Sequence, residues 1–293
     1  MQRLPWHSKV HAVRFYIQIE SGGYAMNNLI SESTLPRLCF VHVPKTAGSS
    51  LNKLFSELYG DLKLPALTTL DYGLYSQDKL KAYRFYSGHC YWRDYSRLPS
   101  DARIFTVLRD PVARVVSLYK YWGSISTEHL TDKTMIEAMQ TARDSSIYDF
   151  ISSENPFIRE SIVCGQIRQF LRPDLEQKIE VFRQTDSGLY QMVTQIYDTF
   201  SRFEAVLTVE RLSESLPIFL KKLGIATRRT IPHVNSSPSR NDVDFSRVRE
   251  LLFDSSYVDF LIYDLAQALE EQFVRQWKLE TPVLEEEIGR DCL

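Results

Sequence analysis

Apolar positions along this chain fall into two rhythms. Leu38 to Val43 (LCFVHV) is a short run with the aromatic and β-branched content of a buried strand. Leu51, Leu54, Phe55 and Leu58 then recur at the i, i+3, i+4, i+7 spacing of a helix packed on one face, and Gly60 marks its end. Arg84 to Gly88 (RFYSG), Ile104 to Leu108 (IFTVL) and Ala205 to Val209 (AVLTV) predict three further strands. After the third of the four runs, Asp110 is a natural helix N-cap with Pro111 at the first helical position, and Val112, Val115, Val116 and Tyr119 supply an inner face. Helical spacing also marks Pro156 to Leu171, Leu189 to Phe203, Ser213 to Leu223 (closed by Gly224) and residues 243–278. The polar stretch 123–146 predicts a loop or lid with some helix, 61–80 a mixed loop, and the Ser-, Pro-, Asn- and Arg-rich stretch 228–242 a surface loop. Near the start, Val13, Phe15, Ile17 and Ile19 alternate as a strand would before Gly22-Gly23. The expected organisation is an extension or edge strand over 1–33, a single domain over 34–280 and an acidic tail over 281–293.

Strands alternating with helices predict an α/β fold, a parallel β-sheet flanked by helices on both faces. In such sheets ligands bind beyond the carboxyl ends of the strands. That rule places Lys45, His89 and Arg109 at one rim, because each follows a predicted strand.

Composition changes this picture little. The chain has 293 residues, 44% hydrophobic and 25% charged, enough for a sizeable core, and a formal charge of −2 gives no bulk reason to expect nucleic acid or a membrane surface as partner. A basic site must therefore be local. The four cysteines form no C-x-x-C pair, so neither metal binding nor disulfide redox chemistry is expected. No leader peptide and no apolar run long enough for a membrane span are recognisable, which makes a cytoplasmic, reduced protein the default expectation; a luminal domain with its anchor removed would read the same.

The first strand runs into Pro44-Lys45-Thr46-Ala47-Gly48-Ser49-Ser50 and then a helix. This geometry aims backbone N–H groups and the positive end of a helix dipole at one point. With a Lys and three hydroxyls there, it is an anion site for phosphate or sulfate. An ordinary strand–helix turn with a Ser N-cap accounts for Gly48 and Ser49 but not for Lys45. The nucleotide-triphosphate loop G-x-x-x-x-G-K-[ST] is absent: Lys45 precedes Gly48, and no Gly stands upstream of it at the required spacing. Arg109 and Ser117, about two helical turns apart, make a credible second phosphate clamp beside the first. Two anion sites on neighbouring strands suggest a donor with phosphates at both ends of a nucleoside.

An alcohol needs a base to become a nucleophile near neutral pH, and imidazole is the side chain best matched to that task. Of the six histidines, His7 and His11 fall in the extension, His129 and His233 in polar loops, and His42 inside the first strand as a packed residue. His89 follows a strand and a Gly, from where it can reach the rim; a structural histidine capping the strand end is the alternative. Asp94 and Glu210 are carboxylate alternatives, Glu210 better suited to positioning or an ion pair. Arg84, Arg93, Arg97 and Lys120 are candidates to line a channel for an acidic acceptor.

VPKTAGSS followed by LRDPVARVVSLYKY resembles the 5′-phosphosulfate loop and the 3′-phosphate motif of sulfotransferases that use 3′-phosphoadenosine 5′-phosphosulfate (PAPS), most closely the carbohydrate branch of heparan sulfate and uronyl 2-O-sulfotransferases. FYSGHCYW at 85–92, the segment around Asn155 and Gln166 to Leu171, and the helix–VERL–helix region at 190–223 extend the resemblance over roughly residues 36–270. It implies a P-loop-like three-layer sandwich, related to nucleotide kinases, that uses PAPS, releases PAP and needs no metal. It further implies Lys45 on the bridging and sulfonyl oxygens, Thr46, Ala47, Gly48, Ser49 and Ser50 around the 5′-phosphate, Arg109 and Ser117 on the 3′-phosphate, and His89 as base. Asn235, Ser236 and Arg240 fall where the wider family closes a loop over the adenosine. The implied partner is a hydroxyl-bearing acceptor, a carbohydrate. Relatives acting on uronic acids carry a second histidine two places before the catalytic one, where this chain has Ser87. A nucleotide-dependent phosphotransferase would need a triphosphate loop and Mg²⁺ carboxylates; a catalytically inactive PAP-binding scaffold is the other alternative, and the intact set Lys45, His89, Arg109 and Ser117 speaks against such degeneration.

Overall fold

Four short apolar runs pair side by side because each is long enough to cross one layer of core and is followed by a segment that returns over the sheet. The computed structural model describes residues 35–64, 75–225 and 243–280. The expectations for 1–33, for the tail 281–293 and for Asn235, Ser236 and Arg240 lie outside the described residues. In chain order the elements are β1 (Leu38–Val41), α1 (Gly48–Tyr59), α2 (Gln77–Lys81), β2 (Phe85–Gly88), β3 (Arg103–Leu108), α3 (Pro111–Ser124), α4 (Lys133–Asp144), α5 (Ile147–Ile151) and α6 (Pro156–Ile162). There follow α7 (Pro173–Glu176), α8 (Ile179–Phe182), α9 (Asp186–Phe200), β4 (Ala205–Thr208), α10 (Leu212–Lys222) and α11 (Phe245–Glu280).

The strands form a wholly parallel sheet in the order β2-β1-β3-β4, with Phe40 opposite Ser87 on one side and Phe105 on the other. The chain leaves β1 toward β2 and then crosses back to β3, so the strand order reverses between β1 and β3. That reversal opens a crevice at their carboxyl ends. Alternation puts Leu38, Phe40, Phe85, Phe105, Val107, Ala205 and Leu207 on one face, packed against Leu51, Leu54 and Phe55 of α1 and Leu212, Leu216, Phe219 and Leu220 of α10. Aromatic contacts lock this layer: Phe40–Phe105 and Phe55–Phe85 stack with ring centroids 5.0 and 4.8 Å apart, and Phe105–Phe219 meet tilted at 4.8 Å. The opposite face is covered by α11, which packs on β4 and on α3. The fold is the α/β sheet with helices on both faces that the pattern predicts.

One boundary differs from the expectation and two elements gain detail, each for a local reason. The polar stretch 123–146 contains α4, which packs on α3 and buries Ala138, Met139 and Ala142; small side chains let a mostly polar segment dock closely. Helical spacing from Pro156 stops at Ile162, because Cys164 adopts a left-handed backbone (φ 51°) and Gly165 sits where a Cβ would lie 2.1 Å from the Ser161 carbonyl. The long α11 is kinked at Ser256, whose hydroxyl donates to the Ile162 carbonyl at 2.7 Å. Among the described residues no helix is long and apolar enough to cross a membrane.

Among the described residues β4 pairs with β3 and with no other strand. At its carboxyl end Glu270 of α11, fully buried, accepts from the Thr208 backbone N–H at 3.1 Å and from the Thr208 hydroxyl at 2.5 Å. Glu270→Leu strands both donors in the interior and is expected to lower stability by about 1–3 kcal/mol, while Glu270→Gln, which keeps one acceptor, loses less. Urea denaturation checks this; equal stability of Glu270→Leu and wild type would contradict it.

Candidate active site

The loop from β1 to α1 is bent by two residues other than glycine in left-handed backbone, Lys45 (φ 72°) and Ala47 (φ 64°). L-residues adopt this conformation only when the surroundings hold them there. Between them the buried Thr46 turns its hydroxyl back onto the Val43 carbonyl at 2.8 Å, fixing the turn from inside. Ala47 is the N-cap of α1 and offers no capping side chain, whereas Asp110 caps α3 by accepting from the Ala113 N–H at 2.8 Å. The start of α1 therefore presents the strand-end concavity that favours an anion. Ser49 is exposed at its mouth and Ser50 buried behind it.

Gly48 is required by a close approach. A Cβ there would lie 1.8 Å from Nε2 of His42. The His42 ring stacks between Phe40 (centroids 5.4 Å) and His89 (4.8 Å, 24° between planes). Burial, then the charges of His89 and Lys45, push its pKa down to about 3, so it stays neutral. It is the packed residue expected, placed just beyond β1 rather than within it. Its carbonyl accepts from His89 Nδ1 at 2.8 Å and from Gln169 Nε2 at 3.0 Å. A carbonyl can only accept, so neutral His89 carries its proton on Nδ1 and a lone pair on Nε2. Burial lowers the His89 pKa, with the bond to His42 opposing.

Lys45 and Arg109 meet at the crevice between β1 and β3. Arg109 donates from Nη1 to the Lys45 carbonyl at 3.3 Å, and its Nε has no hydrogen-bond partner among the described residues. The Lys45 ammonium lies over the Tyr121 ring, 3.7 Å from its centroid. Burial, then the charge of Arg109, lowers the Lys45 pKa to about 8. Burial also lowers that of Arg109, against the pull of Glu210, Asp110 and Tyr263. Ser117 lies half-buried on α3, one turn before Tyr121. The structure thus brings Lys45, His42 and His89 to one side of the crevice and Arg109 to the other.

The carboxylate alternatives hold backbone. Asp94 accepts from the Tyr91 N–H at 2.8 Å, and Glu210 accepts from the Asp110 N–H at 3.1 Å and from the Tyr263 hydroxyl at 2.8 Å. Arg84 stands before β2, at the far end of the sheet, and donates to the Leu35 carbonyl at 2.8 Å, so it does not line this rim. Arg97 donates to the Tyr75 carbonyl at 3.2 Å.

A family model described as "Sulfotransferase family" matches residues 33–266. The chain belongs to the sulfotransferase family. A sulfotransferase from Alicyclobacillus acidocaldarius, known from its crystal structure, is similar at 17% identity over 84% of this chain and 99% of that one, with a TM-score of 0.37. No curated protein matches the chain. In this sulfotransferase the site also depends on residues that the sequence reading left without a function at the rim: Tyr121 under Lys45 and the His42 ring under Gly48. Both have a signal in the pattern. Tyr121 is four residues beyond Ser117 on the same helix, and His42 is two beyond Phe40, on the same side of the strand.

Gly48→Ala drives a methyl into the His42 ring and is expected to destabilise the protein by about 1–3 kcal/mol. Adding His42→Ala should restore part of the loss, because it removes the obstacle. Melting curves of the two single variants and the double variant check this; independent, additive losses would show that the two residues do not press on each other.

Proposed function

We propose that this chain transfers a sulfonyl group from PAPS to a hydroxyl of a glycan or glycan-like acceptor, with His89 as general base and Lys45 stabilising the leaving phosphate. The observation that carries the reading is the pair Lys45 and Arg109. Two half-buried cations face one crevice, and among the described residues no ion pair to a carboxylate neutralises either. The partnerless Nε of Arg109 and the lowered Lys45 pKa both ask for an anion there. A donor with one phosphate at each end of a nucleoside supplies two.

PAPS brings the activated sulfonyl, which leaves PAP behind. Within the proposed site, the uncapped start of α1 and the residues Thr46 to Ser50 hold the 5′-phosphate, and Arg109 with Ser117 holds the 3′-phosphate. His89 Nε2 takes the acceptor proton, its orientation set by the Nδ1 bond to the His42 carbonyl. Lys45 and the loop N–H groups face the oxygen on which charge grows, so they act more strongly on the transition state than on the ground state. The acceptor class rests on the resemblance to the heparan sulfate and uronyl branch. Where that branch has a second histidine this chain has Ser87, buried in β2 with its hydroxyl unpartnered among the described residues. The His42 imidazole, from a different strand, stands against His89 instead.

Transfer of label from radiolabelled PAPS to a panel of glycan acceptors tests the reading. His89→Ala is expected to lower kcat by about 10²–10⁴ while PAP binds as before, since a general base contributes on that scale. An unchanged kcat would remove His89 from the chemistry.

The Lys45 pKa of about 8 in the free protein gives a second expectation. An anion binds the protonated ammonium. PAP affinity is therefore full below pH 8 and falls as pH rises through it, by up to about tenfold per pH unit for one proton. Lys45→Arg, which stays charged, should flatten that decline. PAP titrations from pH 7 to 10 check this; the same decline in both proteins would place the titrating group elsewhere.

A further inference from the structure

Arg109 and Asp110 join β3 to α3 after the strand has ended and before the helix begins, so their backbone groups need partners from outside both elements. Side chains distant in sequence supply them. The Gln166 carboxamide accepts from the Arg109 N–H at 3.0 Å and donates to the Arg109 carbonyl at 2.8 Å, which copies the two-bond exchange between paired strands. The Glu210 carboxylate accepts from the Asp110 N–H.

Both arms are anchored on α11. The Gln166 backbone N–H donates to the Asp259 carboxylate at 3.2 and 3.3 Å, and the Tyr263 hydroxyl donates to Glu210 at 2.8 Å. Asp259 and Tyr263 stand four residues apart, on one face of that helix. Gln166 and Asp259 are each 1% exposed, and Asp259 lies 4.0 Å from the equally buried Arg114, whose guanidinium donates to the Ser161 carbonyl at 2.9 Å. The Arg109 guanidinium itself is lightly held, by one 3.3 Å bond to the Lys45 carbonyl. Where it points is therefore decided by how its backbone is held.

We propose that Gln166 is a positioning residue for the donor's second phosphate: by fixing both backbone groups of Arg109 it aims the guanidinium at the 3′-phosphate, with Glu210 and Tyr263 as a second, weaker arm. This rests on the PAPS reading above. Gln166 touches neither donor nor acceptor in this account; it acts through Arg109.

The test compares PAP with AMP, which keeps the 5′-phosphate and lacks the 3′-phosphate, by titration calorimetry on wild type, Gln166→Leu and Tyr263→Phe. Wild type is expected to prefer PAP. In Gln166→Leu the PAP affinity should fall about tenfold or more with AMP affinity unchanged. That selective loss is one that general loosening of the fold does not produce. Tyr263→Phe, which removes a single hydroxyl, should shift the ratio the same way by about threefold. A Gln166→Leu protein with the wild-type PAP:AMP ratio, or with both affinities reduced together, overturns the proposal. If Gln166→Leu does not fold, Tyr263→Phe decides on the same ratio. A wild type that binds AMP as tightly as PAP overturns the donor reading itself, and the brace with it.

Discussion

Two like charges held together at the reversal of the sheet set the terms for everything else in this molecule. Lys45 and Arg109 enter from the loops after β1 and β3, and Arg109 bonds the Lys45 carbonyl. Partial burial weakens the solvent screening that would otherwise make such neighbours indifferent to each other. The free protein is thereby raised in energy at one point, and a ligand carrying negative charge on both sides of the crevice relieves it. The lowered Lys45 pKa is the same repulsion and desolvation expressed as a proton equilibrium.

Such an arrangement persists only if the surrounding structure over-determines it. One layer of stacked phenylalanines between α1, α10 and the sheet keeps β1 and β3 in register. The left-handed Lys45 and Ala47 are held by Thr46 from within and by the His42 ring against Gly48 from behind. α11 contributes three times from one helix: Glu270 to the end of β4, Asp259 to Gln166 and Tyr263 to Glu210. The first contact stabilises the sheet. The other two end at the loop that carries Arg109, where Gln166 and Glu210 hold its backbone.

The convergence of Lys45, His89 and Arg109 was legible because it needs only three strand ends and a parallel sheet; no side-chain geometry enters. The caps at Asp110 and Pro111 and the stop at Gly60 were legible for the same local reason. What escaped was of two kinds. Some helix was expected in 123–146, but not the extent of α4, because its buried face is made of Ala138, Met139 and Ala142, two of them too small to stand out in hydropathy. Gln166 supports Arg109 across 57 residues of sequence, and no spacing rule reaches that far; for Glu210 the sequence suggested positioning, but not that it would hold Asp110, 100 residues away. The resemblance flagged Gln166 by position, without a task. The tautomer of neutral His89 is likewise set by the His42 backbone carbonyl, just beyond a neighbouring strand, which carries no trace in residue identity.

The measurement that bears most directly on the central claim is the shift in Tm of the full chain on titration with PAP, alongside ATP with Mg²⁺, in wild type and Arg109→Ala. Binding to the folded state raises Tm with the logarithm of the ligand concentration relative to its Kd. The expected result is a clear rise with PAP in wild type, a much smaller one in Arg109→Ala and little response to ATP with Mg²⁺. A wild-type protein that ignores PAP, or responds more strongly to ATP with Mg²⁺, would contradict the account.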